Sequence, residues 1–179
     1  DIVVISISSD GDYIAVGTDA NSYGYLYLFG KGDAEPVWID DSLGVVTSLE
    51  INGDGTNIAL ASEDYYVYYY SVSSSSSIWE YETSNKATSV SLSSDGTFLA
   101  AGSQDKYLYF FNTSSSQPLW SSLTGASVSS ISLTPDGSNM VVASGKQLYF
   151  FNKNSLIFIW RQDTTGTIQD TAISSDSSY

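Results

Sequence analysis

Four tryptophans, Trp38, Trp79, Trp120 and Trp160, stand 41, 41 and 40 residues apart, and the chain has no others. A fixed period of this length constrains the fold more than any bulk property. Each period is one supersecondary unit that cannot bury its own faces and must stack on its neighbours. An Asp-Gly dipeptide keeps the same beat at Asp10-Gly11, Asp54-Gly55, Asp95-Gly96 and Asp136-Gly137, and a fifth copy opens at Asp176 with Ser177 in place of glycine. From each Trp to the next turn Asp is always 16 residues, and from the last aromatic of each aromatic run (Phe29, Tyr70, Phe111, Phe151) to its Trp is always 9. All variation in length falls between the Asp-Gly and the aromatic run. One loop per unit is therefore free while the frame is packed.

Within a unit the residues alternate as strands do. Ser89–Ser93 reads SVSLS, a half-buried strand of period two. Phe98–Gly102 (FLAAG) and Tyr107–Phe111 (YLYFF) are short apolar runs bounded by Ser, Gly, Asp or Asn, and Leu119-Trp120 opens a fourth, shorter strand. Four strands in about forty residues predict an all-β chain, a β-propeller of four-stranded antiparallel blades. The blades are expected at 1–43, 44–85, 86–126 and 127–167, with the stub of a fifth at 168–179. In Thr134-Pro135-Asp136-Gly137 the proline fixes φ near −65°. That suits a type I turn followed by a left-handed glycine, so Gly11, Gly55, Gly96 and Gly137 are expected at positive φ and Ser177 would be strained there. Small residues at Gly17, Ala61, Gly102 and Ala143 are expected where inner strands crowd the axis. Four blades and one inner strand leave the ring open. Further blades of the same chain, in a seven- or eight-bladed ring, or a second copy joined head to tail would complete it. The opening DIVVISIS, strand-like from its first residue, favours a partial or processed chain.

Composition removes several chemistries. The chain has no Cys and no His, which excludes disulfides, thiolates, histidine metal ligands and Ser-His or Cys-His nucleophile pairs. A net charge of −14 repels phosphate backbones and anionic lipid, so no nucleic acid is expected as a partner. No run of eighteen apolar residues predicts a membrane span. Scarce lysine and abundant Ser, Thr and Tyr lean towards an extracellular or cell-surface location, and Asn112-Thr113-Ser114 fits the N-glycosylation pattern.

The phrase SVSLSSDGTFLAAGSQDKYLYFFN (Ser89–Asn112) resembles a WD-type propeller repeat, and more closely the WD-like repeats of archaeal and bacterial surface proteins. The Trp-Asp and Gly-His dipeptides of that family are absent, so its Asp–His–Ser network does not carry over. The tail LYFFNTSSSQPLWSSLTG (Leu108–Gly125) is similar to the tryptophan-docking repeat of quinoprotein dehydrogenases. That resemblance implies Trp38, Trp79, Trp120 and Trp160 packed between neighbouring blades. It also raises a quinone cofactor with calcium, but the family's adjacent cysteine pair is missing and Arg161 is the only arginine. The Asp-x-Asp and Asn-x-Asp turns lack the full calcium-loop pattern. The expectation is a non-enzymatic scaffold, with no catalytic residue, no metal ligand and no cofactor. A quinoprotein-like dehydrogenase domain and an outer-membrane assembly scaffold are the alternatives.

Candidate functional residues gather at the propeller end that carries the free loop. Asp19, Asn21, Tyr23, Glu63, Asp64, Gln104, Asp105 and Lys146 come from the loop between second and third strands. Asp40, Asp41, Glu82 and Asp163, with Lys86, Arg161 and Asp170, come from the loops entering the next inner strand. This end is expected to be acidic and to receive a protein or glycan partner, with Gln104-Asp105-Lys106 as the first place to look. The Asp-Gly end reads as scaffold.

Overall fold

Every unit begins with its inner strand and steps outwards. The computed structural model describes residues 1–176, so the expected strain at Ser177 lies outside the described residues. The first sheet is β1 (Ile2–Ile7), β2 (Tyr13–Thr18), β3 (Gly24–Gly30) and β4 (Pro36–Leu43); the second is β5 (Val46–Ile51), β6 (Asn57–Ser62), β7 (Tyr66–Ser71) and β8 (Trp79–Glu82). The third is β9 (Ala87–Leu92), β10 (Phe98–Ser103), β11 (Tyr107–Asn112) and β12 (Trp120–Leu123); the fourth is β13 (Val128–Leu133), β14 (Asn139–Ser144), β15 (Gln147–Asn152) and β16 (Trp160–Asp163). Each sheet is a four-stranded antiparallel meander in chain order. This is the all-β propeller architecture of four-stranded blades.

The Asp-Gly hairpins are built alike. The first residue of each turn (Ser8, Asn52, Ser93, Thr134) accepts at its carbonyl from the N–H of Gly11, Gly55, Gly96 or Gly137, and those glycines stand at φ of +68° to +71°. The turn Asp ties the hairpin from inside: Asp95 Oδ1 accepts from Ser93 Oγ at 2.7 Å and from the Thr97 N–H at 2.9 Å. Ser8–Asp10 and Thr134–Asp136 repeat this at 2.6 Å each. These hydroxyl bonds hold the carboxyls of Asp10, Asp95 and Asp136 below the usual range, Asp136 at about 2.

Neighbouring blades are coupled along their inner strands by four rungs. Thr88 Oγ1 donates to Val128 O at 2.6 Å; Ser89 Oγ accepts from the Ile131 N–H at 3.0 Å; Ser91 Oγ accepts from the Leu133 N–H at 3.1 Å. At the hairpin tip the Ser94 N–H donates to Pro135 O at 2.7 Å. Thr47, Ser48, Glu50 and Gly53 make the same four rungs from the second blade to the third. Between the first two blades only Ser6 and the tip residue Ser9 serve, because Val3 and Val4 occupy the other two positions. Close approach accompanies this ladder: a Cβ at Gly102 would lie 2.3 Å from Val128 Cγ1. The apolar core fills the three interblade spaces, with Leu26, Leu28, Ile58 and Tyr70 in the first, Leu99, Tyr69 and Phe111 in the second, and Phe110, Met140 and Phe151 in the third.

Candidate functional site

The tryptophans lock one blade to the next. Trp38 Nε1 donates to Val72 O at 2.7 Å, Trp79 Nε1 to Thr113 O at 2.7 Å and Trp120 Nε1 to Lys153 O at 2.8 Å. Their rings stack on the third-strand aromatics, Trp79 between Tyr69 (5.2 Å) and Phe111 (5.5 Å), Trp120 between Phe110 (5.0 Å) and Phe151 (6.0 Å). Trp160 stacks on Phe150 of its own blade at 5.5 Å and is 44% exposed. It lies on an uncovered face, and β1 presents the exposed Ile2, Ile5 and Ile7 on the opposite one.

The loop end is not uniformly available. Asp64 and Asp105 were read from sequence as partner-facing, but both are consumed internally. Asp105 Oδ1 accepts from the Tyr107 N–H at 2.8 Å, and its Oδ2 accepts from Tyr109 Oη at 2.7 Å and from the Ser84 N–H at 2.9 Å. Asp64 does the same with Tyr66, Tyr68 and Gly44. Gly44 and Ser84 lie on the connections that enter each blade, so each carboxylate clasps the incoming chain to the blade's β-turn. Lys106, at φ +76°, accepts at its carbonyl from the Thr124 N–H and Oγ1 at 2.8 and 2.7 Å. Gln104 is exposed, but its N–H is spent on Lys86 O at 2.9 Å. The segment Gln104-Asp105-Lys106 is thus a structural clasp. In the fourth blade, where the turn is one residue shorter, Gly145 takes φ +59° and Tyr149 Oη itself accepts from the Gly125 N–H at 3.0 Å. Burial and the adjacent carboxylates push the Tyr68, Tyr70 and Tyr109 phenols far up.

Four further candidates, expected in loops, lie on outer strands. Asp40 and Asp41 sit within β4, Glu82 ends β8 and Asp163 ends β16. In the first blade the outer strand is four residues longer than its counterparts β8 and β12, two at each end, and the pairing Gly24↔Leu43 closes it. Asp40 Oδ2 accepts from Tyr70 Oη at 2.9 Å across the first interblade space. Glu63 pairs with Lys86 at 2.7 Å, and Asp163 accepts from Gln147 Nε2 at 3.0 Å beside a shallow pocket that Lys146 helps to line.

The loop of the first blade is different. Asn21 and Ser22 stand consecutively at φ +58° and +84°, and Tyr23 beside them is 67% exposed. Asp19 keeps a buried Oδ1 with no hydrogen-bond partner. Two successive non-glycine residues in the left-handed region hold strain of about 1–3 kcal/mol each. Sequence reasoning marked Asp19, Asn21 and Tyr23 by their place in the variable loop; the strain was not visible there.

At the other end, an axial cavity of about 270 Å³ is lined by Ser6, Glu50, Asn52, Leu92, Ser94 and their neighbours. Glu50 stands where the other inner strands carry Ser6, Ser91 and Ser132. Its Oε2 accepts from the Leu92 N–H at 2.8 Å, yet burial raises its carboxyl above the usual range. Sequence reasoning missed it, although a Glu replacing Ser in a strict repeat was a readable signal. The cavity does not fit a quinone with its metal ion, because Glu50 is its one titratable side chain. Among the described residues no three acidic groups converge on a metal-sized space.

A raised pKa in the native state means that folding favours the protonated Glu50. Stability from this group is present at low pH and is lost as pH rises through the carboxylate range. Glu50→Gln is therefore expected to unfold at higher urea than the native chain at neutral pH, with the gap closing near pH 3. Equal midpoints at neutral pH would show that the Leu92 bond fully offsets burial.

Stacked four-stranded blades and tryptophans that dock on the next blade's carbonyl define a PQQ-like β-propeller repeat protein. Residues 64–179 match the family described as outer membrane protein assembly factor BamB, and the chain belongs to that family. No curated protein matches the chain. Among the described residues no helix is long and apolar enough to cross a membrane.

Proposed function

We propose that this chain is a non-enzymatic propeller scaffold that binds a protein partner in the cell envelope through the loop end of its first blade. The observation that carries this reading is the Asp19–Tyr23 loop. Strain there is maintained by the surrounding fold, and it displays an exposed tyrosine rather than burying one. Exposed aromatics on rigidly held loops are the usual anchors of protein interfaces. The family's described role in outer-membrane protein assembly supports a protein as partner. An acidic surface favours a basic partner by steering association. The uncovered faces at β1 and Trp160 are of interblade composition, and further blades, from the same protein or from a second copy, cover them in the working assembly.

Photo-crosslinking in living cells tests this. A benzophenone amino acid replacing Tyr23 is expected to give a discrete protein adduct. The same probe replacing Asp12, at the Asp-Gly end, is expected to give none. Absence of any adduct at Tyr23, or equal adducts at both positions, would overturn the assignment of this end as the binding surface.

A further inference from the structure

The three interblade spaces repeat one construction, and two of them are plugged. Where the second blade meets the third, Tyr81, two residues after Trp79, lies against Tyr109 and Phe111 with centroids 5.2 Å from each. Where the third meets the fourth, the plug comes from the other side. Phe158, two residues before Trp160, lies edge-on to Tyr149 at 5.3 Å and Phe151 at 6.2 Å. Both rings cover the same pair of third-strand aromatics at the same repeat positions.

The first space has neither plug. The position of Tyr81 is taken by Asp40 and the position of Phe158 by Ser77. Over the equivalent pair, Tyr68 and Tyr70, a pocket of about 470 Å³ remains, walled by Asp40, Asp41, Glu80 and the hydroxyl-bearing run Ser75–Ser77. Tyr70 further departs from its counterparts Phe111 and Phe151 by carrying a hydroxyl, which it donates to Asp40. Two independent changes of the repeat, one on each side of the groove, thus leave it open and make its walls acidic.

We propose that this groove receives an arginine side chain from the protein partner. The inference rests on the protein-binding reading given above and names what one pocket takes. The sister grooves show that the space is shaped for a flat group. The guanidinium is flat, packs on tyrosine and meets carboxylates through paired N–H donors. Three carboxylates and no basic residue line the pocket, which rejects acidic and disfavours neutral occupants. The acidic groups do not gather as metal ligands among the described residues. The groove opens between β4 and the second blade, and by the register Leu26↔Asp40 and Gly24↔Leu43 it lies towards the same end of the first blade as Tyr23. One extended partner segment can reach both.

The test uses the isotopically labelled chain and blocked amino acids as probes. N-acetyl-arginine methylamide is expected to shift the amide signals of Ser75–Ser77 and Glu80 in a saturable way and to leave those around Tyr109 and Tyr149 unmoved. The blocked glutamate is expected to do nothing. Glu80→Gln should weaken the arginine response by about tenfold, the scale of one charged hydrogen bond. Ser77→Phe, which installs the plug of the fourth blade, should abolish it while raising the melting temperature. Unchanged arginine shifts in Ser77→Phe, or an equal response to the blocked lysine, would overturn the proposal. If crosslinking at Tyr23 persists in Ser77→Phe with undiminished yield, the scaffold reading stands and the groove is not part of it.

Discussion

Trp79→Ala is expected to cost about 3–5 kcal/mol, and Trp160→Ala about 1 kcal/mol or less, although both occupy the same repeat position. Trp79 is held between Tyr69 and Phe111 and donates to Thr113 O. Its removal leaves a ring-sized void in the second interblade space and an unsatisfied carbonyl on the third blade. Trp160 lies on an uncovered face with nothing of a following blade against it among the described residues. Urea unfolding of the two variants, followed by far-ultraviolet circular dichroism, checks the contrast. Equal losses would mean that the stabilisation comes from the ring's contact with its own strand and not from docking. In an assembly where further blades cover Trp160, its cost should rise towards that of Trp79, so the same pair of variants also reports whether that face is closed.

Asp105→Ala is expected to cost about 2–3 kcal/mol. The alanine strands a buried tyrosine hydroxyl and two backbone N–H groups that now share one carboxylate. Neutralising an exposed rim carboxylate, such as Asp41, should change stability by no more than about 0.5 kcal/mol. Hydrogen exchange at Ser84 and Tyr107 gives the local readout: both amides should exchange faster in Asp105→Ala and be unchanged in Asp41→Asn. A loss below about 1 kcal/mol with unaltered exchange would return Asp105 to the solvated rim. This also bears on functional mutagenesis. Neutralising Asp40, Asp41, Glu63 and Asp64 together would confound binding with folding, because Asp64 is a clasp.

The blade architecture was legible because its signals are local and repeated. The Trp period, the Asp-Gly beat and the alternation in SVSLS each report on a strand or turn within a few residues, and four copies make chance agreement implausible. The functional end was less legible. A carboxylate in a variable loop has the same one-letter code whether it faces solvent or accepts from an N–H some twenty residues away, as Asp105 does from Ser84. The spacing Asp64-Tyr66-Tyr68, repeated as Asp105-Tyr107-Tyr109, was the available hint that these acids belong to the frame. Asp40 was misplaced for a related reason: nothing in the sequence around it says that the outer strand runs on past its tryptophan, as β8 does through Tyr81 and β12 through Ser122. The open groove required comparing three interfaces in space, since its two missing plugs are supplied by opposite sides of the junction.

The rungs between inner strands are unequal around the sector. The second and third blades share all four, as do the third and fourth. The first and second lack the two that Val3 and Val4 cannot make. Beyond the fourth blade Ser129 and Ser130 still bond to Ile168 O and the Thr171 N–H, but Pro135 has no N–H to pass on at the hairpin tip. In a linear array where stability is intrinsic blade energy plus nearest-neighbour coupling, this grading concentrates cooperativity in the middle pair of junctions. Thermal opening then proceeds from the two outer junctions inwards, and the second to fourth blades behave as the unit whose melting is seen as a single transition.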